Sequence, residues 1–420
     1  MCVGKSDKII KFKVLLIALI TLFFAFERVI IDYIPAAGYI DELFVIVSCC
    51  SAIYIAFFQA EKFTSSEIAA LMLTALVIVI GVLGNIVSGI MKSPFLIIVD
   101  IISIVKIFIS YYWIIGFRMS VEDWDAVIKL LAKLTRAIVI VMLVLMVMTY
   151  AFNLPLTGEV RFGIKPYAFL FDTPGNFSKV FYFIIPLLTA DLQYGNTVYK
   201  KIVIAIALFI WVMTLRSRAV AFVACYLMFA FWYFYIKEKH IKKVNIMYLL
   251  PIGVIGLALG WEQLVFYFTN DTQARSALLK YSLVTMKEYF PLGAGLGTYG
   301  SDIAKTHYSP LYEQYGFLNI YGMGKTHTNY LNDNYWPMII GQFGIIGTIL
   351  VVAILVLLYT QMIKTVINNR YLYFSTLCMM AFLLISSIAS KSYSEFSMIP
   401  VFILHGIFVQ RERSYNKLGV

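Results

Sequence analysis

Apolar runs of membrane-spanning length follow one another from end to end of this chain, and no other feature restricts its fold so strongly. A spanning helix needs about 20 mostly apolar residues, and reading for such runs gives about twelve. They centre near Leu19, Ser51, Ile78, Val105, Met142, Ile184, Ile206, Ala224, Ile255, Ile349, Ala381 and Phe402. The 420 residues are 61% hydrophobic and 14% charged, against about half and about a quarter in soluble domains. The excess is spread along the whole chain. The expectation is an all-α polytopic integral membrane protein, residues 1–420 forming a single membrane domain without internal repeats.

The formal net charge is +11. In a soluble chain that would suggest nucleic acid. Here it reads as Lys and Arg gathered in cytoplasmic connections, and no nucleic-acid partner is expected. Lys5, Lys8, Lys11 and Lys13 precede the first run, which reads as a retained signal-anchor. With both termini cytoplasmic and the runs alternating, Lys62, Arg118–Arg136, Lys200–Lys201, Lys237–Lys243, Lys364, Arg370 and the basic tail fall inside. The opposite side holds Arg28, Lys92 and Lys391 on its short connections. Cys2, Cys49, Cys50, Cys225 and Cys378 show neither metal-ligand spacing nor a disulfide framework.

The same alternation places two long connections outside, residues 153–175 and 269–334, the second between the ninth and tenth spans. Non-helical backbone at membrane depth must be buried in protein or line a watery cavity. A long polar connection is therefore the default place for function. It begins near a short helix expected from a cap at Asn270 or Asp271 to Pro291, with Leu278, Leu279, Ser282 and Met286 on one face. GLGTYG, Gly295–Gly300, matches a dinucleotide pattern. It lacks the preceding strand which that motif requires. Its content is backbone freedom: Gly293, Gly295 and Gly297 permit a tight re-entry and the close approach of a ligand. Asp100 and Lys106 lie inside the fourth run, where charge is costly. Their spacing is wrong for a direct pair, so each needs a partner on another helix or a functional site.

Three constellations could carry chemistry. Arg216 and Arg218, in TLRSRAVAF, sit at the outer end of the seventh run. Two residues apart, they cannot share a helix face, so one can face a site while the other snorkels. A guanidinium fork suits phosphate oxygens. Arg275 lies in the first turn of the short helix. It would be at ease there beside an anion at the helix N-terminus, or in an acid-first pair with Asp271. His327, in KTHTNYLNDNYWP, is flanked by Asn329, Asn332 and Asp333. It is either a structural histidine or a base near neutral pH. The tyrosines, Tyr299 and Tyr330 among them, suit sugar stacking or an interfacial belt.

At these residues the chain resembles the O-antigen ligase and polymerase superfamily of membrane glycosyltransferases. The likeness rests on Arg275 followed by FPLGAGLGTYG, the HTNYL segment, the GQFGIIG stretch Gly341–Gly347, and SRAV at Ser217–Val220. YSPLYEQYG and NDNYWPMIIGQFGIIG are most similar to the Wzy-type O-antigen polymerases. The likeness is sharp over about 271–350 and only topological elsewhere. It implies a helical fold of the GT-C type and a site on the periplasmic face of the bacterial inner membrane. It implies a substrate carried on undecaprenyl diphosphate, passed from a flippase and elongated under a chain-length regulator. Diphosphate binding would fall to Arg275 and to Arg218 or Arg216. The acceptor's proton would fall to His327, or to Asp333 in its place, since this chain reads HTN where ligases have HN. Gly295, Gly297, Tyr299, Asn329 and Tyr330 would form the substrate loop.

Diphosphate is already a good leaving group, so no metal and no cofactor is called for; charge neutralisation, positioning and a base suffice. Two other functions share much of this pattern. A ligase would move the same glycan to a lipid A core. A transporter of the lipid-linked oligosaccharide would spread ionisable residues through its helices, whereas here they cluster at one face and one connection.

Overall fold

The computed structural model describes residues 3–59, 62–161, 163–236 and 273–417. It is all-helical over these, with three isolated bridges and no strand. The elements are α1 (Val3–Tyr33), α2 (Ile40–Phe58), α3 (Ser65–Ser88), α4 (Pro94–Ile115), α5 (Val121–Phe152), α6 (Pro174–Ala190), α7 (Val198–Val212) and α8 (Ser217–Phe231). The long connection before the next apolar helix contributes α9 (Ala274–Glu288), α10 (Asp302–Thr306) and α11 (Pro310–Gln314). Then come α12 (Tyr335–Val366), α13 (Arg370–Ser387) and α14 (Ile399–Asn416).

Eleven of the twelve expected centres fall within one of these helices, and the twelfth, Ile255, lies outside the described residues. Eight helical stretches among the described residues, α1 to α5, α8 with its π-helical continuation to Phe234, α12 and α13, are long and apolar enough to cross a membrane. Three others fall short. α6 has 17 residues and α7 has 15, below the length of a full crossing. α14 carries Arg411, Glu412 and Arg413 in its last turns. α6, α13 and α14 are buried along most of their length. α14 packs on α4, α5 and α1, and α13 packs on α6 and α12. α2, α3 and α5 instead expose large apolar side chains such as Phe57, Met72 and Val147, a surface suited to lipid and not to water.

Local chemistry explains several boundaries. Thr64 and Ser120 form capping boxes with Glu67 and Asp123, starting α3 and α5. Gly89 and Asn153 close the same helices in left-handed geometry. α12 is two helices joined across Gly344, whose φ of 59° and ψ of −158° break the ladder.

The connections sort into two groups by contact. At one end Lys62 donates to the Gly116 carbonyl at 2.9 Å, Arg413 pairs with Glu67 at 2.8 Å, and Arg411 pairs with Asp125 at 3.0 Å. Lys200 and Arg136 share Asp191, and Asn369 donates to Gln193 at 2.8 Å. These are the connections that the charge pattern assigns to the cytoplasm. At the other end Arg28 meets Asp172 at 3.1 Å, Lys179 meets Glu395 at 2.8 Å, and Trp336 donates to Ser387 at 3.0 Å.

Residues 273–334 fold into a small unit with its own core of Ala277, Leu278, Tyr299, Leu311, Tyr312, Phe317, Met323 and Leu331. Its first helix has Gln273 at the N-cap, not the expected Asn270 or Asp271, which lie outside the described residues. The buried face is Ala277, Leu278, Ser282 and Thr285. Leu279 and Met286 are half-buried beside it.

Two outcomes follow. A cysteine at Tyr321, which is 86% exposed, should react with an impermeant thiol reagent in intact cells, whereas one at Lys201 should not; labelling at Lys201 alone would reverse the orientation. Gly84 sits 2.9 Å, measured from where its Cβ would be, from the backbone of Gly295. Gly84→Ala should therefore cost about 1–3 kcal/mol and lower the unfolding temperature in detergent. Gly38→Ala, with its nearest neighbour at 3.8 Å, should not.

Candidate functional site

The glycine loop is the foundation of the site, and its partners are protein. Ala294 and Gly295 donate their N–H groups to the carbonyls of Gly341 and Gln342, both at 2.9 Å. Those carbonyls belong to the helix that breaks at Gly344. Asn85 of α3 makes a two-way pair with Leu296, donating at 2.8 Å and accepting at 2.9 Å. Ser88 donates to the Ala294 carbonyl at 2.7 Å, and Gln342 to the Tyr299 carbonyl at 3.0 Å. Asp100 of α4 accepts the Gly297 N–H at 2.8 Å. Gly295 and Gly297 hold φ of 93° and 71°, and a Cβ on Gly295 would stand 2.3 Å from the Asn85 nitrogen. The close approach that Gly295 permits is thus to α3 and that of Gly293 to α12, while Gly297 faces Ile303 and Met91.

Asp100 and Lys106, the two charges of the fourth run, have separate employment. Asp100 anchors the loop, and Lys106 pairs with Asp41 of α2 at 3.4 Å.

Tyr299 is fully buried, donates to the Leu278 carbonyl at 2.7 Å and packs its ring on Tyr312. It has no face open for stacking. Tyr330 is 39% exposed beside Tyr321, and Asn329 and His327 are exposed on the same turn, which the Gly324–His327 bridge closes. These three residues stand on the outer surface of the folded external region.

Arg275 reaches Asp333 at 3.3 Å. Arg218 donates toward Ser386 Oγ at 3.5 Å and the Ala389 carbonyl at 3.4 Å. Arg216, the N-cap of α8, lies against Gly175 at the start of α6. A run of polar contacts joins the first two arginines. Ser392 donates to Ser386 at 2.8 Å, and its neighbour Lys391 grips both oxygens of Asp302 at 2.6 Å. Asn332 donates to the same carboxylate, and its neighbour Asp333 holds Arg275.

Beside this run lies a cavity of about 230 Å³. Its wall comes from α1 (Phe24, Arg28), α4 (Lys106), the first external connection (Phe171) and the start of α6 (Asn176, Lys179). The folded unit 273–334 supplies Asp302, and the α13–α14 connection supplies Lys391, Ser394, Glu395, Phe396 and Ser397. Both long connections therefore meet at one cavity. Burial alone would raise the Asp302 carboxyl, but the charge and hydrogen bond of Lys391 outweigh it, with Lys106 and Asn332 adding to the pull, and hold it at about 2. Glu395 is likewise pushed up by burial but pulled below the usual carboxylate range by Lys179 and Lys391.

Sequence reasoning singled out Lys391 only as a sparse outer charge, and passed over Lys179, Asp302 and Glu395. One signal was present: an ionisable residue inside an apolar run, as Lys179 is, is a site hypothesis by default.

No family model matches the chain, and no curated protein matches it either. What fold and site define is a multi-pass helical protein with helices suited to a membrane and a separately folded region, residues 273–334. That region is seated on a broken helix beside a polar cavity at one end of the bundle.

Lys391→Met strands the Asp302 carboxylate and should lower the unfolding temperature. Adding Asp302→Asn removes the stranded charge and should recover part of the loss, as coupled neighbours do. Additive losses in the double variant would show that the two residues act independently.

Proposed function

We propose that this chain is an inner-membrane polysaccharide polymerase: it moves a growing glycan from undecaprenyl diphosphate onto an incoming lipid-linked repeat unit. The observation that carries this reading is the polar run from Arg218 to Arg275 beside the cavity where the two external connections meet. Guanidinium groups on separate elements, held at one end of a membrane bundle, suit a diphosphate whose lipid tail stays in the bilayer.

In the proposed step a hydroxyl oxygen of the incoming sugar attacks the anomeric carbon of the growing chain. The bond from that carbon to the diphosphate oxygen breaks and the glycosidic bond forms. Undecaprenyl diphosphate leaves with the electron pair, its charge answered by the arginines. The hydroxyl proton goes to a carboxylate or an imidazole. Asp333 lies within reach of Arg275 at 3.3 Å. A diphosphate that draws the guanidinium to itself frees this carboxylate to accept the proton. His327 stands on the exposed turn and serves as base only where that turn folds over the substrate.

Loss of the chain should leave surface glycan with one repeat unit, because attachment continues without extension. Long unattached polymer with bare core would point to ligation instead. Arg275→Ala should lower polymer by about 100-fold or more in a protein that still reaches the membrane. Arg275→Lys should restore it only in part, since an ammonium lacks the fork. Full activity in Arg275→Ala would remove the diphosphate role.

A further inference from the structure

We infer that the cavity between the two external connections is a binding site for one neutral sugar ring, and not for the diphosphate. Charge is the first ground. Each cation on its wall is already answered by a carboxylate. Lys179 meets Glu395 at 2.8 Å, Lys391 meets Asp302 at 2.6 Å, Lys106 meets Asp41 at 3.4 Å, and Arg28 meets Asp172 at 3.1 Å. An entering diphosphate would have to break these pairs or lie against Asp302 and Glu395. A neutral ligand meets no such cost.

The second ground is hydrogen-bonding character. A sugar hydroxyl both donates and accepts. Asp302 and Glu395, kept ionised by their lysines, accept only. Lys179 and Lys391 donate only, with Asn176 on the same wall. Such alternation satisfies a ring of hydroxyls better than it satisfies an ion.

The third ground is the apolar part of the wall. Phe396 is half-buried there and offers flat apolar surface to the C–H face of a pyranose, with the buried Phe24 and Phe171 completing the apolar wall. Size completes the argument. About 230 Å³ is below the roughly 300–1,000 Å³ of pockets for drug-sized ligands, which suits a single ring and not a chain.

Lys391 and Asp302 belong both to this wall and to the run that joins Arg218 to Arg275. A sugar here touches the polar run that ends at the two arginines. That this sugar is one of the repeat unit presented for transfer rests on the polymerase reading; the sugar site itself does not.

The test is protection of a thiol in the full chain in detergent. Ser397→Cys, on the cavity wall, is introduced after the five native cysteines are replaced, and its rate of alkylation is followed. The probes are D-glucose, D-galactose, D-mannose, N-acetyl-D-glucosamine, L-rhamnose and L-fucose, each up to ~100 mM because a single free sugar binds weakly, and inorganic pyrophosphate. At least one sugar should slow alkylation several-fold and pyrophosphate should not. Asp302→Asn should weaken that protection by tenfold or more. An unchanged rate without sugar would show that its wall is intact. Protection by pyrophosphate alone, or by no probe, would overturn the inference. Either result would leave the polymerase reading standing if Arg275→Ala still abolished polymer. Protection by a sugar in a chain indifferent to Arg275 would do the reverse.

Discussion

The backbone hydrogen bonds between the glycine loop and the broken helix α12 support everything else at this end of the molecule. A helix interrupted at Gly344 leaves carbonyls without intrahelical donors, and in a membrane an unanswered carbonyl costs several kcal/mol. Ala294 and Gly295 supply donors to Gly341 and Gln342. The loop in turn has N–H and C=O groups of its own to satisfy, and Asn85, Ser88 and Asp100 answer them from α3 and α4. Each side resolves the other's deficit. The contact is possible only because Gly84, Gly293, Gly295 and Gly344 let backbone touch backbone.

Once the loop is seated, the rest of the external region has a fixed base. The helix bearing Arg275 stacks on it through Tyr299 and Leu278, and α10 delivers Asp302 toward Lys391. The charges that gather there are nearly all in pairs, which tolerates burial where isolated ions would not. The result is a cavity rich in donors and acceptors yet close to balanced in charge, with arginines on its flank. Such a division of labour suits a substrate that is itself divided, neutral glycan on one side and lipid diphosphate on the other.

Much of this was legible in the sequence, and the limits have physical causes. Runs of apolar residues marked the helices because membrane length leaves a strong local signature. α6 and α7 are shorter than their apolar runs suggest: α6 is enclosed by protein along most of its length, while α7 buries one face and exposes Val198, Ile202 and Phe209. The external region announced itself by its glycines and tyrosines, but their role was read toward a ligand when Gly295 and Tyr299 serve packing. A one-dimensional reading sees that a glycine permits approach and cannot see what approaches. The pairs Lys391–Asp302 and Lys179–Glu395 are 89 and 216 residues apart, so no local pattern foretells them. Asp100 and Lys106 were rightly kept apart by helical spacing, while their partners on the loop and on α2 became visible only in three dimensions.

Transfer of glycan between lipid carriers at this end of the bundle is open to a direct assay. The most direct measurement uses purified chain in detergent with undecaprenyl-diphosphate-linked repeat unit as sole substrate, products being resolved by mass. A polymerase yields glycans of two, three and more repeats on the lipid, with one undecaprenyl diphosphate released for each repeat added. Substrate that stays at a single repeat, while the same protein in vesicles carries it across the membrane, would contradict it.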